Sequence, residues 1–223
     1  MDLWLASLTT QIEVNKMALM SVIQNTKGRS LVTPLGSAMW VKILEPDTTF
    51  DPAGKYEAQI ICNPNDEKVA AFVKAVKSIA DKALEEAKEN LKPPKDKSVF
   101  LRDIFTNEVD KEGNETGNIV IKAKSPAEDR DGNKITIPVY DVKGRKEDAW
   151  NKLIGNGSKI KMEVWAFPYH MANGNSVGVS MRLKKVQVVE LNEYNGNSGF
   201  GDESGEEGFG DTDETFEPTG TDF

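Results

Sequence analysis

Apolar and polar residues alternate along Ser158–Tyr169, SKIKMEVWAFPY. With the period of two that a strand imposes, Ile160, Met162, Val164 and Ala166 share one face. Lys159, Lys161, Glu163, Trp165 and Phe167 share the other, with Tyr169 just past Pro168. Ser37–Leu44 repeats the pattern, with Met39, Val41 and Ile43 against Trp40 and Lys42. So do Asn118–Lys124, with Lys122 and Lys124 on the polar side, and Ser176–Val189, with Arg182 and Lys184. In the last of these the apolar phase changes after Lys184-Lys185, which predicts a bulge. Lys55–Cys62 reads as a further strand, and Lys134–Tyr140 as the return of a hairpin turned at Asp131-Gly132, with Pro138 suggesting an edge.

The period changes once. From Glu67 to about Asn90, Val69, Phe72, Val73, Val76, Ile79, Ala80, Ala83, Leu84 and Ala87 recur at helical spacings. Asn65 or Asp66 can cap this helix, and Lys92-Pro93-Pro94 stops it. Five or six short strands with one long helix between them predict a mainly β chain. The expected architecture is a five-stranded Greek-key barrel of the oligonucleotide-binding (OB) kind.

Charge divides the chain further. Its 28 basic and 36 acidic residues give a net −8, but ten of the acids and none of the bases lie in 191–223. The remainder therefore has 26 acidic residues against 28 basic ones, and a slightly basic body precedes an acidic tail. The tail is too polar to fold alone, and carries Tyr194, Phe200, Phe209, Phe216 and Phe223 at intervals. Residues 1–25 show no turn or capping logic. The expected organisation is a weakly structured extension over 1–25, one OB domain over 26–190 and a disordered acidic tail over 191–223.

Little supports catalysis. His170 is the only histidine and Cys62 the only cysteine, so neither a metal cluster nor a disulfide is readily assembled. Neither a phosphate loop of the G-x-x-x-x-G-K-[ST] kind nor a dinucleotide fingerprint occurs. No apolar run is long enough to span a membrane. The chain reads as a binder rather than an enzyme, with no cofactor. Strand faces that mix cations with rings suit single-stranded nucleic acid, whose phosphates need charge and whose bases need flat surfaces. Lys42, Lys122, Lys124, Lys159, Lys161, Arg182 and Lys184 are candidates for phosphates, and Trp40, Trp165 and Tyr169 for bases. The alternatives are solvated lysines and tryptophans that belong to a core. A protein-interaction module with a DNA-mimicking tail, or an oligosaccharide-binding barrel, would use similar surfaces.

One run of motifs has a familiar order. Asp141–Asp148 reads DVKGRKED and Gly157–Val164 reads GSKIKMEV, followed by Phe167-Pro168-Tyr169, SVGVSMRL over Ser176–Leu183 and VVEL over Val188–Leu191. Upstream stand TPLGSA from Thr33, EPD from Glu45 and PAGKYEAQIICNPN from Pro52, and the chain closes on Asp222-Phe223. This order resembles the single-stranded DNA-binding protein of short-tailed lytic phages. The resemblance implies an OB-fold homodimer that coats single-stranded DNA during phage replication and recombination in the cytoplasm of the infected bacterial host. It implies that the tail, through residues such as Phe216, Asp222 and Phe223, contacts the phage DNA polymerase and helicase-primase. By position it assigns DNA contacts to Arg29, Lys122, Lys124, Lys161 and Tyr169. Glu163 stands where the family has a lysine, and Ala53 where it has an arginine, for which Lys55 is the expected substitute. Residues 92–135 align poorly, and the N-terminal extension lies outside the pattern.

Overall fold

The computed structural model describes residues 22–49 and 51–193. The helix forms where its periodicity places it. α1 runs Glu67–Asn90, and Asp66 caps it by accepting hydrogen bonds from the amides of Lys68 (2.8 Å) and Val69 (3.2 Å). Its stripe of Val69, Phe72, Val76, Ile79, Ala80, Ala83 and Ala87 is buried. A single further turn, α2 (Lys95–Ser98), follows the prolines.

Ten strands are described: β1 (Arg29–Val32), β2 (Gly36–Asp47), β3 (Lys55–Cys62), β4 (Phe100–Leu101), β5 (Thr106–Val109), β6 (Glu115–Pro126), β7 (Val139–Tyr140), β8 (Lys146–Glu147), β9 (Lys159–Met171) and β10 (Ser176–Glu190). Five of them pair in a closed circuit, β9–β2–β3–β6–β10 and back to β9. All these pairings are antiparallel except β6–β10. Period-two alternation turns one side of each strand into the circuit. Ala58 and Ile60, Ile121 and Ala123, Ile160, Met162, Val164 and Ala166, and Leu183 are all at most 1 % exposed there. The buried stripe of α1 joins this core through Val69, Phe72, Val76, Ile79 and Ala80.

Two strands depart from simple alternation. Lys184 is an extra residue in β10, because Leu183 opposes Val164 and Lys185 opposes Glu163, as the phase change predicts. β2 departs where the sequence predicts no break. Met39 opposes Gln59 and Lys42 opposes Glu57, so three steps on β2 match two on β3. The extra residue flips the phase. Ala38 and Ile43 enter the core instead of Met39, Val41 and Ile43 together, and Met39 and Val41 stay half-buried. The break centres on Trp40, whose φ of 52° is left-handed.

The predicted return strand Lys134–Tyr140 is reduced to Val139–Tyr140. The Asp-Gly turn is present, but the chain leaves β6 after the Glu128–Lys134 bridge and the Ile135 amide bond to Ala127 O (2.7 Å). It crosses to run parallel with β10, where Pro138, which has no N–H to give a ladder, still accepts from the amide of Val186 at 3.0 Å.

The folded body reaches beyond its expected limits of 26 and 190 on both sides. Val22 is buried against α1, and residues 24–26 are tied to the helix by Glu86, whose carboxylate accepts from the amides of Gln24, Asn25 (2.7 Å) and Thr26 (2.8 Å). Residues 22–25 therefore belong with the body and not with the weakly structured extension. At the other end Asn192 exchanges hydrogen bonds with Ser158, and Lys152 pairs with Glu193 at 3.1 Å, so 191–193 are not tail. Residues 1–21, and the tail residues Phe216, Asp222 and Phe223, lie outside the described residues.

Candidate nucleic-acid interface

Strand register builds the candidate surface. Lys42 on β2 opposes Glu57 on β3, and Glu57 opposes Lys124 on β6. Lys124 opposes Arg182 on β10, Arg182 opposes Trp165 on β9, and Trp165 opposes Ser30 on β1. One lateral row therefore crosses six strands on the side away from the core. It gathers four of the residues singled out in the sequence, Lys42, Lys124, Arg182 and Trp165. Lys122 lies two residues from Lys124 on the same face of β6, opposite Gln59.

Trp40 stands beside this row and is 61 % exposed. A non-glycine residue with positive φ is strained by its Cβ, at a cost of about 1–2 kcal/mol. The bulge holds it there: the Trp40 amide donates to Asn156 Oδ1 at 2.9 Å. Its side chain lines a groove of 420 Å³ with Lys42, Asp47, Asp51, Lys55, Glu57, Gln59, Lys122 and Lys124. Trp165, the second exposed indole, is 41 % exposed. Both tryptophans are thus surface rings and neither belongs to the core.

The groove is less cationic than its lysines suggest. Lys42 pairs with Asp47 (2.8 Å) and Lys55 with Asp51 (2.8 Å), while Glu57 takes both Lys122 (2.6 Å) and Lys124 (2.8 Å). Four ammonium groups face three carboxylates. Lys42 and Thr49 hold the Asp47 carboxyl far below the ordinary range, and Lys55 lowers that of Asp51. Burial pushes the Glu57 pKa upward, but hydrogen bonds from Lys122, Lys124 and Gln59 outweigh it and leave the group ionised more readily than usual. Arg182 differs: among the described residues it has no carboxylate partner. Its guanidinium lies 5.9 Å from the centre of the Phe167 ring.

The other candidates fall around this row. Tyr169 opposes Gly178, and its ring lies so close that a Cβ at Gly178 would come within 2.6 Å of its ring and hydroxyl. One part of the ring is therefore seated on backbone, and the residue is half-buried. Arg29 is exposed one residue before Ser30. Lys184 is exposed at the β10 bulge. Lys159 opposes Glu190, and Lys161 opposes Gln187. Lys161 lines a different pocket, of 210 Å³, with Tyr140, Glu163 and Lys185 among its walls. Lys159, Lys161 and Lys184 are thus not in the row. In that second pocket Glu163 pairs with Lys185 (2.8 Å), and Lys185 lies 5.8 Å from the Tyr140 ring. The sequence reading omits Phe167, Gln59, Tyr140 and Lys185 as contacts; the Phe167 ring beside Trp165 was open to it, whereas the others join only through β-pairing.

Among the described residues no three His, Cys, Asp or Glu side chains gather to hold a metal, and no described helix is long and apolar enough to cross a membrane. Cys62 is buried, which together with Asp66 pushes its thiol up to about 11.

A family model described as the single-stranded DNA-binding protein of bacteriophage T7 matches residues 37–191. This chain belongs to that family. The match includes every strand of the circuit and all of the lateral row except Ser30. Among solved structures, gp2.5, a single-stranded DNA-binding protein encoded by bacteriophage T7, is 24 % identical. It superposes with a TM-score of 0.58, over 73 % of this chain and 92 % of its own, which establishes a shared fold. The single-stranded DNA-binding protein of bacteriophage Enc34 is similar at 13 % identity, over 77 % of this chain and 87 % of its own, with a TM-score of 0.49. A structure of the Enc34 protein with single-stranded DNA is similar at 14 % identity, over 72 % and 86 % of the two chains, with a TM-score of 0.45. No curated protein matches the chain. The mainly β fold agrees with the expectation drawn from the strand pattern, and the family match agrees with the resemblance carried by the motif order.

Proposed function

We propose that this protein coats single-stranded DNA without strong sequence preference during phage DNA replication and recombination, in the cytoplasm of the infected host, as a homodimer and without catalysis of its own. In this reading the five-strand circuit is an OB barrel. Its lateral row is the path of the strand: Lys42, Lys122, Lys124 and Arg182 meet phosphates, and Trp40, Trp165 and Tyr169 stack on bases. Lys55 and Arg29 extend the path at its sides, and Lys159, Lys161 and Lys184 give outlying charge. The acidic tail occupies the groove when DNA is absent, and when displaced it engages the DNA polymerase and helicase-primase.

The observation that carries the reading is the placement of two exposed indoles among cations, Trp165 by strand register and Trp40 at the β2 bulge, in a chain of a single-stranded DNA-binding family. Stacking and phosphate contact need no base-edge readout, hence the tolerance of sequence. The test is a tryptophan-fluorescence titration with single- and double-stranded oligonucleotides over a range of salt. The expected result is quenching and a preference for single strands, with affinity falling log-linearly as salt rises. Salt-independent binding, or equal affinity for duplex, refutes it.

A further inference from the structure

Glu57 is the least expected side chain of the groove. It sits in the middle of β3, on the outward face, where a DNA-binding surface gains nothing from a negative charge. Its Oε1 and Oε2 bind Lys122 (2.6 Å) and Lys124 (2.8 Å) separately, and Gln59 donates to Oε1 at 2.6 Å. Its side chain is only 18 % exposed, while those of the two lysines are 45 % and 49 % exposed. The carboxylate lies low in the groove wall and the ammonium groups lie over it. A core position would explain burial of an apolar residue here, and a solvated position would explain a mobile glutamate. Neither explains one carboxylate shared by two lysines at the centre of a row of cations.

We propose that Glu57 is a built-in counter-ion that sets the DNA affinity of the groove: a strand's phosphates must draw Lys122 and Lys124 away from it. The inference rests on the DNA-binding reading above and adds its affinity-determining residue. The pairing holds both ammonium groups at the groove floor when no DNA is present, which keeps the lysines from spreading into solvent. It also lowers the charge a strand meets, because Glu57 stays in place as the phosphates arrive. The protein therefore holds DNA more weakly than its lysine count allows, and releases it more readily. Glu57 does not touch DNA in this account. It is a positioning residue that acts through the two lysines.

The experiment compares the full-length protein with Glu57→Gln, which keeps the shape and an acceptor but removes the charge. Thermal unfolding first establishes that both are folded. Titration with a poly-dT oligonucleotide at low salt should then show Glu57→Gln binding about threefold to tenfold more tightly, the effect of one unscreened charge close to phosphates. Its salt dependence should steepen by about 0.7 for each further phosphate of a single strand that the freed lysines neutralise. Full-length protein suffices, because DNA carries a charge on every nucleotide whereas residues 194–223 carry nine in thirty, so any benefit to the tail is smaller. The gain should shrink when Lys122→Gln and Lys124→Gln are already present, leaving only the direct effect of removing the Glu57 charge. Equal or weaker binding by folded Glu57→Gln, or a gain that is undiminished without the two lysines, overturns the proposal while leaving DNA binding itself intact. Absence of binding by both proteins overturns the DNA-binding reading and this proposal with it.

Discussion

Trp40 joins a backbone cost to an exposed ring. A left-handed tryptophan in the middle of a strand is retained against about 1–2 kcal/mol of steric strain, and the indole it presents is 61 % exposed beside lysines. Folding alone gives little reason to keep it, since glycine relieves the strain and most of the ring's surface is already exposed. Trp40→Gly should therefore leave the melting midpoint unchanged or higher, because the relief offsets the roughly 0.5–1 kcal/mol entropic penalty of glycine. The same substitution should weaken single-stranded DNA binding by about 1–3 kcal/mol if one base stacks there. Paired melting and titration experiments separate the two effects. A protein destabilised by Trp40→Gly with unchanged DNA affinity would show that the ring serves the fold.

At the level of elements, α1 does more than cover the circuit. Glu86, in the last turns of the helix before Asn90, is buried and holds the chain segment that leads into β1. Burial alone would raise its pKa, but the amides of Asn25, Gln24 and Thr26 outweigh that and bring it down to about 2. An ordinary glutamate titrates near about 4.3. The folded pKa is the lower one, so the contribution to stability is complete above about 4.3 and is lost as pH falls from there towards 2. Glu86→Ala should cost on the order of 1–3 kcal/mol at neutral pH, from the loss of hydrogen bonds to a charged carboxylate. Glu86→Gln should differ from the native protein at about pH 6 and converge on it as pH falls to about 2, in denaturant titrations at each pH. A constant difference across that window would count against the assignment.

This contact also shows where sequence reading stops. The helix was legible from end to end, because capping by Asp66, the apolar stripe and Pro93-Pro94 are all local signals. The bulge at Lys184 was legible because the apolar phase visibly changes. The bulge at Trp40 was not, because Met39, Val41 and Ile43 form an unbroken apolar alternation, and nothing in a tryptophan announces a positive φ. Glu86 looked like one of the polar residues of an amphipathic helix, and its partners stand some sixty residues earlier. In the candidate interface the residue types were legible and the neutralising pairs were not. Lys122 and Lys124 read as free cations until the β3–β6 register sets Glu57 opposite Lys124 and within reach of both. Three turns tell the opposite story. Asp110–Asn114, Asp129–Asn133 and Asp141–Arg145 share the spacing Asp-x-x-Gly-x, and in each the aspartate accepts from the amide four residues on while the glycine takes positive φ. Such motifs are readable because everything they need lies within five residues.

For the whole molecule the quantity to test is the proposed competition between two polyanions for one groove. The groove sets four lysines against three carboxylates, so its net charge is small, and a modest rival can hold it. Residues 194–223 contain nine acidic residues and five aromatic ones, Tyr194, Phe200, Phe209, Phe216 and Phe223. They thus carry both features of a single strand, charge at intervals and flat rings. Tethering gives such a segment, or that of a second copy, a high effective concentration at the groove. Glu193 is the last described residue and pairs with Lys152, so the informative truncation is after Glu193 and preserves that bridge. The truncated protein should bind single-stranded DNA more tightly than the full chain. The difference should be largest at low salt and shrink as screening weakens the tail's hold. It should also fail to bind DNA polymerase and helicase-primase in pull-down experiments. Equal DNA affinity with and without residues 194–223 at low salt would sink the competition, and loss of partner binding alone would then leave the tail as a tether that never enters the groove.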